Sequence, residues 1–165
     1  RGELALDDSI RTHFPELPAF ADGITIRHLL QHTSGLEDYE PLYEGELPEQ
    51  IADSGVVEIL SRTEGTYFPP GSEYRYSNSA YALLAVLVER LSGMTFPTFL
   101  DANIFQPLGM VNTVAHQDGV TVVANRAYGY TVENGVVEFS DQSPWSAVLG
   151  DGGRPPALGP GAIPR

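Results

Sequence analysis

The spacing of hydrophobic residues predicts one long helix near the middle of the chain. Leu84, Val88 and Leu91 recur at positions i, i+4 and i+7, which places them on one helical face. Asn78 precedes this pattern and is predicted to cap the helix, because its side chain accepts well from free backbone N–H groups. Gly93 follows the pattern and is predicted to end the helix.

Shorter apolar patterns predict three further helices, near residues 26–33, near residues 48–62 and directly after Thr95. The first is predicted to begin at a Thr25 N-cap and to stop before Gly35. Pro and Gly punctuate the stretches between these helices, as expected of ordered loops.

Alternating apolar residues near the end of the chain predict a β-hairpin. The two strands, residues 128–132 and 136–139, are joined through Asn134-Gly135. Asn-Gly is the preferred pair for a type I′ turn, whose twist matches that of the strands. The predicted fold class is therefore mainly α (α+β), with several helices and one hairpin.

Composition narrows the partners of the chain. The 165 residues carry a formal charge of −13, from 22 acidic residues and nine basic ones, all of them arginine. Such a chain repels phosphate backbones and anionic lipids, so we expect no nucleic-acid and no membrane partner. Cysteine is absent, which excludes disulfides and thiolate ligands. A small neutral substrate is the easier ligand.

Four sequence blocks resemble the serine β-lactamase and penicillin-binding-protein-like superfamily, most of all its class C, esterase and D-aminopeptidase branch. The resemblance runs in order over nearly the whole chain. The blocks are LALDDSIRTHFPEL, ITIRHLLQHTSGL, FPPGSEYRYSNSAYALLAVLVERLSGMTF and IFQPLGMVNT. The resemblance implies that the chain has the helical part of the β-lactamase-like fold.

Within these blocks, Tyr76-Ser77-Asn78 matches the family's Tyr-x-Asn motif. The resemblance implies that Tyr76 assists proton transfer to and from a serine nucleophile and that Asn78 positions the substrate. These two residues are the candidate catalytic residues.

Two other family motifs are missing from the chain. The family's nucleophile belongs to a Ser-x-x-Lys motif, and a Lys-Thr-Gly or His-x-Gly motif lines the site. The chain contains no lysine. We therefore expect a truncated central helical segment, residues 1–153, that lacks most of the sheet and carries a Pro/Gly-rich tail, residues 154–165. Helices without their sheet would expose apolar surface, so a homodimer with exchanged elements is expected.

Two histidines suggest a different chemistry. His28 and His32 are four residues apart, so on one helix both imidazoles would lie on the same face. Such a pair is able to hold zinc, and Asp38 follows in the pattern H-x-x-x-H-x-x-G-x-x-D as a third ligand. A zinc site of this kind would supply hydroxide at neutral pH.

The pattern also departs from known zinc enzymes. Leu29 stands where a zinc peptidase has its general-base glutamate, so peptidase activity is not expected. His13 and His116 are alternative third ligands. A purely structural role for both helical histidines is an equally strong reading, because the resembling enzymes use no metal.

Three functions follow from these observations. The leading hypothesis is a zinc-dependent hydrolase of neutral activated esters or phosphotriesters, with metal held by His28, His32 and Asp38. The second is a catalytically inert fragment that dimerises or binds a partner. The third is residual serine chemistry that uses a base other than lysine.

Overall fold

The computed structural model of the protein describes residues 2–42, 52–116, 120–124, 127 and 129–139. The chain divides into two compact units, one that ends at Ala115 and one that begins at His116. The boundary predicted after Gly153 lies outside the described residues.

The first unit is helical. Its described residues form α1 (Ile26–Leu30), α2 (Tyr39–Leu42), α3 (Asp53–Leu60), α4 (Asn78–Ser92) and α5 (Phe96–Leu100). Two 3₁₀ helices, Ile10–Thr12 and Ala19–Gly23, precede α1, and a π-helical turn, Asp101–Phe105, follows α5. The helix-rich class predicted from the sequence is therefore confirmed, whereas the missing sheet stays a prediction.

The second unit contains the predicted hairpin. Strand β1 (Tyr130–Glu133) pairs antiparallel with β2 (Val136–Phe139), so that the first residue of β1 lies opposite the last residue of β2. Asn134 and Gly135 both have positive φ, 51° and 77°. A type I′ turn requires this backbone at both central positions.

Helix α4 is the centre of the first unit, where it contacts α1, α3 and α5. Leu83 and Leu87 are completely or almost completely buried, with exposed fractions of 0% and 2%. Of the predicted apolar stripe, Leu84 and Leu91 are only partly buried against the core. The buried stripe lies one position earlier than predicted because α4 is apolar over most of its circumference and tertiary contacts select the face.

The ends of α4 differ from prediction at one terminus. Ser77, not Asn78, is the N-cap: its extended backbone and its hydroxyl, which accepts from the Ala80 N–H at 3.2 Å, give it that role. Gly93 ends the helix with φ 68°, as predicted.

No single described helix is long and apolar enough to cross a membrane; α4 and the helical segment Phe96–Phe105 reach that length together but bend by 71°.

The predicted caps of the shorter helices are confirmed. The Thr25 hydroxyl accepts from the N–H at the third position of α1, and Thr95 caps α5, which has a proline in its first turn. Helix α1 is shorter than predicted and ends at Leu30 rather than near residue 33. This difference decides the interpretation of the histidine pair.

Gly35 is expected to be intolerant of a side chain. Its φ is 71°, and a Cβ atom there would lie 2.3 Å from the Phe68 carbonyl oxygen. We expect Gly35→Ala to lower the free energy of unfolding by about 2 kcal/mol or more, because both backbone strain and overlap with the main chain oppose it. Urea unfolding of the purified chain measures the change.

Gly65→Ala is the matched control for that substitution. A Cβ at Gly65 has no atom within 4 Å and its φ is not positive. We expect its stability to stay within about 0.5 kcal/mol of the wild type. Equal losses in the two variants would show that the Gly35 turn is not under the constraint described.

The carboxylate of Glu16 pairs with Arg90 at the far end of α4, and this pair predicts a pH-dependent stability. The Arg90 guanidinium donates to Glu16 and to the His13 carbonyl oxygen at 2.7 Å. The hydrogen bond from Arg90 holds the pKa of Glu16 below its ordinary value. Stability from this group is therefore present above the carboxyl's unfolded pKa and is lost as the pH falls through the lowered folded value.

Glu16→Gln should lower the free energy of unfolding by less than about 1 kcal/mol near pH 7, since both side chains remain more than a third exposed. The loss should disappear as the pH falls through the lowered folded pKa of Glu16, because the wild-type carboxyl becomes protonated there. Glu64→Gln removes the same charge from an exposed carboxylate and is the control. A difference between the two variants that persists unchanged in acid would contradict the assignment.

Candidate active site

The Tyr-x-Asn motif occupies the start of α4. Ser77 is 2% exposed because it caps the helix, whereas Tyr76 is 61% exposed and Asn78 is exposed. The two candidate catalytic residues therefore lie directly before and after the buried N-cap residue, and both of their side chains are exposed to solvent. This places a phenol and a carboxamide next to each other on the surface of the first unit.

Asn78 is held by a carboxylate from α2. Its Nδ2 atom donates to Glu40 Oε1 at 2.8 Å. An ionised carboxylate only accepts hydrogen bonds, so the amide nitrogen must face Glu40 and the Asn78 Oδ1 atom must point away from it. The orientation of Asn78 is thus determined by its partner, and the oxygen is the atom left for another ligand.

The surroundings of Glu40 are negatively charged. Burial, followed by the carboxylates of Glu40, Asp53 and Asp38, raises the pKa of Tyr39. Burial and the nearby Glu89 carboxylate likewise raise the pKa of Asp53. A cation therefore fits this region better than an anion does.

His32 lies in a cluster of three tyrosines, which we call the tyrosine cluster: Tyr74, Tyr76 and Tyr81. The imidazole centroid is 4.7 Å from the Tyr76 ring and 4.9 Å from the Tyr81 ring, with small interplanar angles. Tyr74 meets His32 edge-on at 6.1 Å. The His32 Nδ1 atom accepts from the Ser77 N–H at 3.3 Å. A neutral imidazole has one nitrogen with a free lone pair, and in His32 that nitrogen accepts a hydrogen bond instead of binding a metal.

His28 has a role within its own helix. It is the third residue of α1, where its Nδ1 accepts from the Thr25 N–H at 3.3 Å while its own N–H donates to the Thr25 hydroxyl. This reciprocal pair is a capping box with histidine in the usual Glu or Gln position. The His28 Nε2 atom lies against Gly71, where an added Cβ would approach to 3.1 Å.

Neither Asp38 nor His13 joins these histidines in a three-ligand group within the described part of the chain. The Asp38 N–H donates to the Tyr67 hydroxyl at 3.4 Å, and Asp38 Oδ1 is buried without a hydrogen-bond partner among the described residues. His13 contacts Arg90, which lies about 18 Å along α4 from Asn78 at about 1.5 Å per residue. His116 belongs to the second unit.

The predicted zinc site is therefore wrong. Its premise was that His28 and His32 share one helical face, but α1 ends at Leu30 and His32 has a left-handed backbone with φ 57°. Both Nδ1 atoms accept backbone N–H groups. In the part of the chain that is described, no three His, Asp or Glu side chains are grouped so as to hold a metal ion.

Two contributors to the site were missed by sequence reasoning. Glu40 lies outside every motif that the sequence analysis identified, yet it is the partner of Asn78, 38 residues away. Tyr81 lies on α4, stacks on His32 and donates its hydroxyl to the Leu30 carbonyl oxygen at 3.2 Å. Neither contact has a spacing signal, because both depend on how the helices pack.

Comparison with known proteins identifies the family to which the sequence is similar. Residues 1–154 match the Beta-lactamase family. Penicillin-binding protein 4* of Bacillus subtilis (strain 168) is 35% identical over 139 residues, which cover 81% of this chain and 30% of that protein. Esterase EstB of Burkholderia gladioli is 37% identical over 125 residues, which cover 67% of this chain and 32% of the esterase.

A solved structure agrees with these matches. The D-amino acid amidase of Ochrobactrum anthropi SV3, complexed with L-phenylalanine, superposes with a TM-score of 0.69 and 30% sequence identity. The superposition covers 87% of this chain and 40% of the amidase. The chain thus spans about a third of the length of the curated relatives named above. The resemblance predicted from the sequence blocks is confirmed.

The comparisons also overturn the leading functional hypothesis. The matched family, together with a penicillin-binding protein and an esterase among the relatives, supports the serine β-lactamase and penicillin-binding-protein-like superfamily and lends no support to zinc-dependent hydrolysis of esters or phosphotriesters. The predicted zinc cofactor and metal-bound hydroxide are therefore wrong on two grounds: the histidine geometry and the family. The tyrosine and asparagine of the Tyr-x-Asn motif are the candidates that this chain offers for chemistry.

Proposed function

Because the chain belongs to the β-lactamase family, we propose that its residues 76–78 form the tyrosine–asparagine side of a serine-hydrolase active site. The observation that carries the proposal is the start of α4, where Tyr76 and Asn78 expose their side chains on either side of the buried Ser77. Both side chains are therefore accessible to a substrate, as the roles implied by the family motif require.

The reaction class is acyl transfer from an amide or ester to a serine, followed by hydrolysis. In this reaction the Tyr76 phenol assists the proton transfers between the serine and the leaving group. Asn78 orients the substrate through the atom that Glu40 leaves free. The 165 residues contain no lysine, so the Ser-x-x-Lys motif is not among them and the proposal assigns only the tyrosine–asparagine side to this chain.

The charge around Asn78 selects among substrates of this class. Glu40 brings a carboxylate to Asn78, and the chain carries a net charge of −13. Substrates with an ammonium group are attracted to such a site, and substrates with a carboxylate are repelled. Asn78 Oδ1 is an acceptor, which suits an N–H or ammonium donor.

A segment exchange tests the proposed role of Tyr76. The stretch of esterase EstB that matches this chain is replaced by the corresponding residues of this chain, so that the rest of the esterase supplies its own nucleophile. We expect the hybrid to hydrolyse p-nitrophenyl hexanoate, and Tyr76→Phe to lower kcat by about 10²- to 10⁴-fold through loss of proton transfer.

Tyr74→Phe is the matched control in the same hybrid. It removes the same hydroxyl from a tyrosine that is 69% exposed and two positions away, and kcat should not change. Circular dichroism establishes that each hybrid is folded. Equal rates for the wild-type hybrid and its Tyr76→Phe variant would contradict the proposal and favour the inert alternative.

Glu40→Gln tests the substrate preference. The p-nitrophenyl esters of 6-aminohexanoate, hexanoate and adipate have similar length and carry an ammonium, no charge and a carboxylate. We expect kcat/KM of the folded hybrid to fall in that order, and Glu40→Gln to narrow the gap between the charged esters by about two- to fivefold. Glu64→Gln removes one equally negative charge from an exposed side chain other than the one bonded to Asn78, and it should leave the order unchanged. Identical effects of the two substitutions would rule out a role for Glu40.

A further inference from the structure

His32 has a backbone conformation that a histidine rarely adopts. Among the described residues other than glycine, only His32 and Asn134 have positive φ. Asn134 lies in an Asn-Gly turn, which requires that backbone. His32 is the left-handed residue of a Schellman motif that ends α1: its N–H donates to the Leu29 carbonyl oxygen and the Thr33 N–H donates to the His28 carbonyl oxygen, at 3.2 and 2.9 Å. Glycine is the usual residue at this position. The imidazole at this position therefore calls for an explanation.

The hydrogen bonds of His32 lie on both sides of Tyr76. Its carbonyl oxygen accepts from the Arg75 N–H at 2.9 Å. Its Nδ1 accepts from the Ser77 N–H at 3.3 Å. One residue thus holds the peptide group between Tyr74 and Arg75 and the peptide group that follows Tyr76, and it does so from a segment more than 40 positions earlier in the chain.

The imidazole also contacts the Tyr76 side chain itself. The two ring centroids are 4.7 Å apart at an interplanar angle of 37°. Tyr81 packs at 4.9 Å from the same imidazole and is tied to the end of α1 through the Leu30 carbonyl oxygen. Tyr76 is 61% exposed, and this tilted contact with His32 is the ring–ring contact that restrains its side chain among the described residues.

We infer that His32 is a positioning residue for Tyr76, which fixes the backbone on both sides of the tyrosine and stacks against its ring. The catalytic consequence of this inference rests on the proposed function, whereas its structural part does not. The role requires a neutral imidazole with its proton on Nε2, because Nδ1 has to accept the Ser77 N–H. A histidine supplies both an acceptor two bonds from Cβ and a flat ring.

Three substitutions separate these contributions. His32→Asn tolerates positive φ and offers Oδ1 where Nδ1 stood, so it keeps the acceptor and loses the ring. His32→Phe keeps a ring and loses the acceptor. His32→Gly relieves the backbone and loses both.

The structural part is tested on the full chain by NMR with ring-labelled tyrosine, with the Tyr76 signals assigned from Tyr76→Phe. His32→Phe and His32→Gly should speed exchange of the Ser77 amide by about fivefold, as expected for one lost hydrogen bond, and His32→Asn should restore slow exchange. The Tyr76 ring signals should move toward those of a free tyrosine in His32→Gly and His32→Asn, and less in His32→Phe.

His28→Ala is the matched control. It removes the other imidazole whose Nδ1 accepts a backbone N–H, so it should lower thermal stability without moving the Tyr76 ring signals or the Ser77 amide. The inference is overturned if His32→Gly leaves those signals unchanged, if His32→Asn protects the Ser77 amide no better than His32→Gly, or if His28→Ala alters them equally.

Activity of the esterase hybrid tests the catalytic consequence separately. A misplaced general acid–base group should lower kcat by about 10- to 100-fold in His32→Gly, with partial recovery in His32→Asn and a much smaller effect on KM. If NMR shows the displacement but kcat does not change, Tyr76 is not catalytic and the proposed function fails while the structural inference stands. If kcat falls without displacement of Tyr76, the positioning role is wrong.

Discussion

Main-chain hydrogen bonds between the turn after α1 and the loop before α4 are the constraint on which the candidate site depends. They join the Gly35 oxygen to the Tyr67 N–H, the Thr33 oxygen to the Gly71 N–H and the His32 oxygen to the Arg75 N–H, at 2.8, 2.8 and 2.9 Å. The two segments approach so closely that Gly35 has no room for a Cβ beside the Phe68 carbonyl. This pairing carries the chain to Ser77 in the extended conformation that an N-cap needs.

Sequence reasoning succeeded where the signal was local. Thr25, Gly93 and Asn134-Gly135 act on their own neighbours, and the structure confirms all of them. The family resemblance was likewise readable, because its blocks are contiguous. The zinc hypothesis failed because it extended helical periodicity past Leu30, where the backbone reverses. The contact between Glu40 and Asn78 could not be predicted, since it joins side chains that are 38 residues apart in the sequence.

The two histidines that suggested a metal site use the same chemistry for different ends. Each Nδ1 accepts a backbone N–H at 3.3 Å. For His28 the donor is three residues away, so the bond stabilises the start of its own helix. For His32 the donor is Ser77, so the bond transmits the geometry of the α1 turn to another helix. Both residues are histidines with the same kind of hydrogen bond. The position of the donor in the sequence therefore decides which histidine affects the candidate site.

The one-residue difference between the predicted and observed N-cap of α4 has a functional consequence. Had Asn78 capped the helix, its side chain would have been used by the backbone N–H groups of the first turn. Because Ser77 takes that role with a shorter side chain that stays buried, Asn78 is the first helical residue and its amide is released to Glu40. The buried Ser77 thus supplies the N-cap that the helix needs. Tyr76 and Asn78, the two exposed side chains beside it, are left available for a substrate.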